Sequence, residues 1–183
     1  MQTKSPSDGM RAELLGHAAC CPAQSALAAD FIALLDAEDA FERRRLAGHF
    51  TASAWLVDRR GCRVLLTHHR KLGTWLQLGG HADGDRDLAR AALREAQEES
   101  GLPGLRVEGG IFDLDRHRIP EHKGVPEHWH YDVRYVVRAG DREDFIVSDE
   151  SHALAWRDIE ALAGDEGADA SLRRMARKWL AMT

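Results

Sequence analysis

The hydrophobic pattern follows a helical spacing in the first part of the chain and changes to a strand-like pattern near residue 50. Between residues 10 and 48 the sequence is rich in Ala and Leu, and Leu27, Phe31 and Leu35 recur at helical intervals, which predicts helices. The run FTASAWLV at 50–57 is typical of a strand. We therefore predict that the chain begins with a helical extension and continues with a sheet-containing domain.

Strands and helices are mixed in the rest of the pattern. A turn signal at 58–61 separates the first strand from a second one, and we expect these two strands to form a hairpin. The further predicted segments are a strand at 62–69, a helix at 87–100, a second hairpin at 105–118 and 127–138, a strand leading into a helix at 152–162, and a final helix at 168–182. This order predicts one α/β domain at 49–183, preceded by the helical extension at 1–48.

Three glutamates share one face of the helix predicted before residue 101. On a helix, Glu95, Glu98 and Glu99 fall within an arc of about 100°. Carboxylates gathered in this way repel one another, and a hard divalent cation with oxygen ligands would offset that repulsion. A solvated acidic helix face without a metal is the alternative interpretation.

The residues around these glutamates define the ends of the helix. Gly79 and Gly80 are expected to interrupt regular structure before it. Asp83 and Asp85 are candidate N-caps, and Gly101 stands where a C-terminal glycine with left-handed backbone belongs. The sequence therefore predicts a short, capped helix that follows a glycine turn.

The segment at 80–102 resembles the signature of the Nudix hydrolase family. That signature is Gly, five residues, Glu, seven residues, Arg-Glu-aliphatic, one residue, Glu-Glu, one residue and Gly-aliphatic. In register with it, this chain supplies Gly80, Arg94, Glu95, Ala96, Glu98, Glu99, Gly101 and Leu102. The exception is Arg86, which stands where the family has glutamate; Asp85 and Asp87 flank it, and one of them is expected to supply the missing charge.

The resemblance implies a Nudix-like α/β/α sandwich with a mixed sheet. It also implies Mg²⁺-dependent cleavage, with Mn²⁺ as a substitute, of the diphosphate linkage in a nucleoside diphosphate derivative. Glu98 and Glu99 would be the main metal ligands, and Glu95 a further ligand or the group that orients water. The carbonyl of Gly80, or of the glycine before it, would complete the site. Arg94 would hold the glutamates by charge-assisted hydrogen bonds, or serve as an ordinary i,i+4 partner of Glu98.

Residues outside the signature are candidates for the rest of the chemistry. Glu150 is a candidate general base, with a surface turn residue as the alternative. Arg70 lies in the basic run HHRK, which is either a phosphate-contacting patch or a solvated loop. His81 follows the glycine pair and is either a pocket residue or a turn residue. Trp75 stacks on a base or, like most strand tryptophans, belongs to the core.

Polar residues alternate along both strands of the second predicted hairpin. They are Asp113, Asp115 and His117 in the first strand and His128, His130, Asp132 and Arg134 in the second. These side chains form a surface network, line a substrate pocket near the glutamate helix, or bind a second metal. As candidate substrate contacts we take His130 and Arg134, since the arginine fork can grip a phosphate bidentately. The aromatic residues between them are expected to be buried.

Charge and cysteine content restrict the class of partner. A formal net charge of −5 gives no overall positive field for nucleic acid, so the expected partner is a small nucleotide or diphosphate, and a homodimer stays open. Three cysteines, two of them adjacent, form no disulfide framework, which favours the cytoplasm. We expect neither a signal peptide nor a membrane span, since the sequence shows no basic start followed by an apolar stretch and no apolar run of membrane-spanning length.

Two other functions are alternatives to the hydrolase. Arg86 keeps open a Nudix-like module that binds a nucleotide as a sensor without cleaving it. An enzyme similar to isopentenyl diphosphate isomerase would need a cysteine facing an apolar pocket, whereas Cys62 falls at a turn. Turnover assays distinguish the enzyme from the sensor.

Overall fold

Five α-helices and six β-strands make up the part of the chain that the computed structural model describes, which is residues 6–69, 73–121, 124–146 and 151–183. The helices are α1 (Pro6–Cys20), α2 (Ser25–Leu34), α3 (Leu88–Ser100), α4 (Ile159–Gly164) and α5 (Ala170–Met182), with a short 3-10 helix at Pro22–Gln24. The strands are β1 (His49–Val57), β2 (Arg63–His69), β3 (Trp75–His81), β4 (Arg106–Ile119), β5 (His128–Arg138) and β6 (Ser151–Asp158). Within these ranges no helix combines the length and apolarity needed to cross a bilayer.

The six strands form one mixed sheet in the order β4-β5-β1-β3-β2-β6. Strands β1 and β5 pair in parallel, and the other neighbouring pairs are antiparallel. The predicted hairpin of the second half is confirmed, since β4 and β5 pair in antiparallel register along most of their length. This mixed sheet with helices on both faces confirms the predicted fold class.

The predicted hairpin of the first two strands is confirmed only next to its turn, where β1 and β2 pair in antiparallel fashion. Strands β1 and β2 pair at Val57 and Val64. Beyond that point β3 lies between them and pairs with β1 at positions 51–54. Gly79 and Gly80 do not interrupt regular structure but lie inside β3. A Cβ atom on Gly79 would stand 2.4 Å from the Ser53 hydroxyl, so glycine is what allows the two strands to approach here.

Both faces of the sheet are covered, each by different helices. Side chains alternate along β1, so Ala52 and Ala54 point to one face and Trp55 and Val57 to the other. The first pair packs with α3, and on this face the N-terminal helices join the same core. The second pair packs against α4 and α5.

The helices of the first 48 residues share a core with the sheet. Phe31 of α2 and Phe41 of the following turn both contact Phe50 of β1, with ring centroids 6.0 and 4.9 Å apart. Leu14 of α1 is fully buried in the same cluster. Each Å² of apolar surface removed from water stabilises the fold by about 25 cal/mol, so this shared core holds the N-terminal helices against the sheet.

The caps of α3 explain where this helix begins and ends. The N-cap is Asp87, whose carboxylate accepts a hydrogen bond from the Arg90 amide at 3.0 Å, rather than Asp83 or Asp85. Only the residue directly before the first turn can reach an unpaired amide of that turn. Gly101 is confirmed as the C-terminal glycine, with φ of 66° in the left-handed region.

Candidate active site

The glutamates of α3 lie against the glycine pair of β3. The Glu99 carboxylate accepts a hydrogen bond from the Gly79 amide at 2.8 Å. A Cβ atom on Gly80 would stand 2.4 Å from a carboxylate oxygen of Glu95, so any side chain at Gly80 would displace that carboxylate. Glu98 is exposed at the open side of the same helix. Helix and strand are thus locked together through the groups that the sequence marks as functional.

Arg94 holds Glu95 in place. One terminal nitrogen of its guanidinium donates to Glu95 Oε1 at 2.9 Å and to the His81 carbonyl at 2.9 Å. The pairing is therefore with the adjacent glutamate and with the strand backbone. Because the acceptor is ionised, the bond to Glu95 is of the stronger charge-assisted kind.

Burial changes the acidity of Glu95. Desolvation raises the pKa of Glu95 above its ordinary value, and repulsion from Glu98 raises it further, while Arg94 acts in the opposite direction. Among the described residues, the three glutamate carboxylates do not form a group whose candidate ligand atoms all lie within 4.8 Å of one another.

Arg86 contacts the N-terminal segment. Its guanidinium lies over the Phe41 ring, 5.5 Å from the centroid, and donates to the Glu38 carbonyl at 3.4 Å. The two flanking aspartates have other partners: Asp85 forms a bidentate pair with the Arg90 guanidinium, and Asp87 caps α3. The position that carries glutamate in the signature therefore serves here to dock residues 38–41 onto the glutamate helix.

The structure describes only Trp75 among three further predicted residues. Arg70 and Glu150 lie outside the described residues, so their predicted roles remain predictions. Trp75 is partly buried against the core, and the Arg157 guanidinium lies 5.5 Å from the centroid of its ring. The core interpretation of Trp75 is the one that this environment favours.

The alternating polar residues of the β4–β5 hairpin continue across two more strands. We call this set the polar face; it consists of Asp113, Asp115 and His117 of β4, His130, Asp132 and Arg134 of β5, His49, Thr51 and Ser53 of β1, and Gln77 and His81 of β3. The strand register aligns them: His130 pairs with His49 and His117, and Asp132 pairs with Thr51.

The side chains of the polar face and the glutamate helix lie on opposite faces of the sheet, whereas the pocket interpretation assumed one face. Side chains alternate along β1, so His49 and Ser53 lie on the same face of the sheet as Trp55, which packs against α4 and α5. The glutamate helix packs on the opposite face, against Ala52 and Ala54. The sequence interpretation placed both on one side because alternation defines two faces without saying which helix covers each one.

Arg134 occupies the centre of the polar face, where its side chain is only 3% exposed. Its Nε donates to Asp132 at 2.7 Å. Its terminal nitrogens lie 3.5 Å from Asp113 and 3.4 Å from Asp115, and one of them contacts the Met175 sulfur of α5 at 3.7 Å. This geometry corrects two expectations: the network is buried rather than on the surface, and the Arg134 fork is taken up by carboxylates rather than open to a phosphate.

Histidines gather at the other end of the polar face. Candidate ligand atoms of His49, His81 and His130 all lie within 4.8 Å of one another. His81 and His130 were predicted substrate contacts, whereas sequence reasoning missed His49. One signal in the sequence points to it, since alternation places it with Thr51 and Ser53. The parallel β1–β5 pairing that brings it beside His130 comes from the structure.

The chain matches a protein-family model described as NUDIX domain over residues 48–179. A Mycobacterium tuberculosis protein assigned as 8-oxo-dGTP diphosphatase 3 is 33% identical over 102 residues, which cover 52% of this chain and 45% of that protein. A Xenopus laevis m7GpppN-mRNA hydrolase is 29% identical over 120 residues, covering 58% of this chain and 40% of its own length. The chain therefore spans less than half the length of these curated relatives.

Solved structures show the same fold. A NUDIX-family hydrolase from Clostridium perfringens superposes with a TM-score of 0.57 at 24% identity, covering 74% of this chain and 98% of the other. A MutT protein from Methanosarcina mazei gives 0.58 at 19% identity, covering 75% and 96%. The Caenorhabditis elegans Ap4A hydrolase gives 0.57 at 20% identity, covering 73% and 96%. At this level of identity the similarity is one of architecture.

Proposed function

Because the chain belongs to the NUDIX domain family, we propose that it is a hydrolase that cleaves the diphosphate linkage of a nucleoside diphosphate derivative. The reaction would depend on Mg²⁺, with Mn²⁺ as a substitute, and would take place at the glutamate face of α3. The observation that carries this proposal is the close fit between the glutamates and the glycine pair of β3.

The donor set on α3 suits a hard divalent cation. Glu98 and Glu99 would hold the ion, together with the Gly80 carbonyl, because carboxylate and carbonyl oxygens are the ligands that Mg²⁺ prefers. When bound, such an ion neutralises phosphate charge and lowers the pKa of a coordinated water.

Glu95 has a separate role in this proposal. Arg94 fixes one of its oxygens, and the Gly80 backbone leaves room for the other. A carboxylate held in this way can orient the attacking water, and positioned proton acceptors typically contribute about 10²–10⁴-fold to a rate. Arg94 would be a positioning residue, since it acts through Glu95.

The relatives suggest a set of substrates to test. The names of the curated and solved relatives refer to 8-oxo-dGTP, to a capped mRNA end and to Ap4A, each of which contains a nucleoside joined to a phosphoanhydride chain. A suitable panel therefore contains these three compounds, ordinary nucleoside triphosphates and nucleoside diphosphate sugars. Products are identified chromatographically with Mg²⁺, with Mn²⁺ and after chelation.

The decisive comparison is between the wild-type protein and the Glu98→Gln variant on the best substrate. We expect cation-dependent turnover that falls by about 10²-fold or more in the variant, the lower end of what a directly acting group contributes. Glu160→Gln, on the exposed side of α4, is the matched control and should leave turnover unchanged. Tight nucleotide binding with no turnover across the panel would instead favour the sensor.

A further inference from the structure

We propose that His49, His81 and His130 form a second metal site that binds Zn²⁺, or a similar transition-metal ion, through imidazole nitrogens. The three residues come from three neighbouring strands, β1, β3 and β5, and meet at one end of the polar face. This site is separate from the glutamates of α3, which pack on the opposite face of the sheet.

The three rings lie at similar distances from one another. Ring centroids are 5.3 Å apart for His49 and His81, 4.9 Å for His49 and His130, and 5.1 Å for His81 and His130. With Zn–N bonds of about 2.0–2.1 Å, tetrahedral geometry places ligand nitrogens roughly 3.3 Å apart. Candidate ligand atoms that already lie within 4.8 Å of one another reach that spacing by small ring rotations.

His49 has an unpartnered nitrogen inside this cluster. The residue is 1% exposed, and its Nε2 is buried without a hydrogen-bond partner. Its Nδ1 lies 3.1 Å from the Arg45 carbonyl, which can only accept, so Nδ1 carries the proton and Nε2 keeps its lone pair. An unsatisfied buried polar atom costs about 1–3 kcal/mol, and a metal ion would give this lone pair its partner.

A hydrogen bond with His128 sets the tautomer of His130. His128 Nδ1 donates to the Pro126 carbonyl at 2.8 Å, so His128 Nε2 is an acceptor. His130 Nε2 lies 3.3 Å from it and therefore donates, which leaves the lone pair of His130 on Nδ1. A metal-bound histidine commonly donates its other ring nitrogen to a neighbouring acceptor, which sets its tautomer.

The chemistry of the ligand set selects the class of metal. Imidazole nitrogens suit zinc, copper, iron and nickel, whereas Mg²⁺ prefers oxygen. Three protein ligands leave a coordination position for water or a ligand.

The test measures zinc content directly. The full chain is prepared without a histidine tag, stripped with a chelator and titrated with Zn²⁺ by calorimetry, and bound metal is counted by elemental analysis. We expect one Zn²⁺ per chain in the wild-type protein and loss of that stoichiometric ion in His49→Gln and in His130→Gln. Two matched controls should retain it: His68→Gln, on β2 beside Trp75, and Glu98→Gln, which alters the glutamate site.

Folding of the variants is checked by melting curves, and Zn²⁺ should raise the Tm of the wild-type protein but not of the two cluster variants. The proposal is overturned if the wild-type protein takes up no stoichiometric zinc. It is equally overturned if both cluster variants keep the ion, or if Glu98→Gln loses it. If His49→Gln does not fold, His130→Gln decides alone. Since the readout is metal content, this result and the turnover result of the proposed hydrolase can fail independently.

Discussion

The glutamate helix and the polar face are both clusters of ionisable side chains, but they are assembled in different ways. On α3 the glutamates are neighbours in sequence, and the helical repeat alone places them together. On the polar face, His49, His81 and His130 come from three strands and meet only because β1 pairs with both β3 and β5. The glutamate cluster follows from one short segment of sequence, whereas the histidine cluster follows from the order in which the strands pair.

Solvent exposure also differs between the two clusters. Glu98 is exposed, and Glu95 and Glu99 beside it are half-buried. By contrast, Asp132 and Arg134 are 2% and 3% exposed, because α5 packs over this end of the polar face. A charge that is buried must be paired within the protein, so the central part of the polar face is structural. Among the described residues of the polar face, two buried side-chain atoms have no hydrogen-bond partner: His49 Nε2 at the histidine end and Gln77 Oε1 beside Ser53.

The largest effect that we expect comes from removing Arg134. Arg134→Met deletes the cation shared by Asp113, Asp115 and Asp132 while keeping similar volume beside Met175. Removing one partner from a buried ion pair costs about 3–5 kcal/mol, so the free energy of unfolding should fall by roughly that amount. Urea denaturation measures it.

A surface ion pair provides the control for Arg134. Arg59 pairs with Asp141, and their side chains are 69% and 84% exposed. Arg59→Ala should cost at most about 1 kcal/mol. If Arg134→Met keeps full stability and instead raises KM, then Arg134 grips substrate after all and the distinction between a structural and an open cluster is wrong.

The next effect concerns Gly80, which stands between the two clusters. In Gly80→Ala the new Cβ meets the Glu95 carboxylate at 2.4 Å, so that carboxylate must move. A displacement of about 1 Å near the chemistry can cost about 10²-fold, and we expect kcat/KM to fall by roughly 10–10²-fold. Zinc uptake by the histidines should be retained, because their side chains lie on the other face.

The matched control for Gly80 is Gly110→Ala. Gly110 lies in β4, and a Cβ atom there has no neighbour within 4 Å. This variant should have wild-type kinetics and stability. Unchanged kcat/KM in Gly80→Ala would show that the position of Glu95 does not matter for the reaction, and would remove Glu95 from the active site.

How much the sequence predicts follows from the same contrast. The glutamates, the hairpin β4–β5 and the Gly101 cap depend on local spacing, and all could be placed from the sequence. The position of β3 could not, because Gly79 and Gly80 were interpreted as a break, whereas in the sheet they permit close strand contact. Arg134 was placed on its correct strand face, but alternation does not reveal that α5 covers that face.

The smallest effect is expected at the position where the sequence departs most from the Nudix signature. Arg86→Glu restores the signature glutamate, yet we expect kcat/KM to change by less than about 2-fold, a difference well under the 1.4 kcal/mol of a tenfold effect. The reason is that the Arg86 side chain points to Phe41 and Glu38 rather than to the glutamates of α3. Stability should fall by about 0.5–1 kcal/mol, the contribution of an exposed cation–π contact.

A double-mutant cycle tests this assignment of Arg86. Arg86→Ala and Phe41→Leu are measured separately and together by thermal and urea unfolding. If the Arg86 guanidinium stabilises the protein through its contact with the Phe41 ring, the double variant loses less unfolding free energy than the two single variants together. A gain in turnover of 10-fold or more in Arg86→Glu would contradict this account, because the missing glutamate would then limit the glutamate helix. In that case local spacing alone would not have been enough to predict the active site, and the contrast with the polar face would weaken.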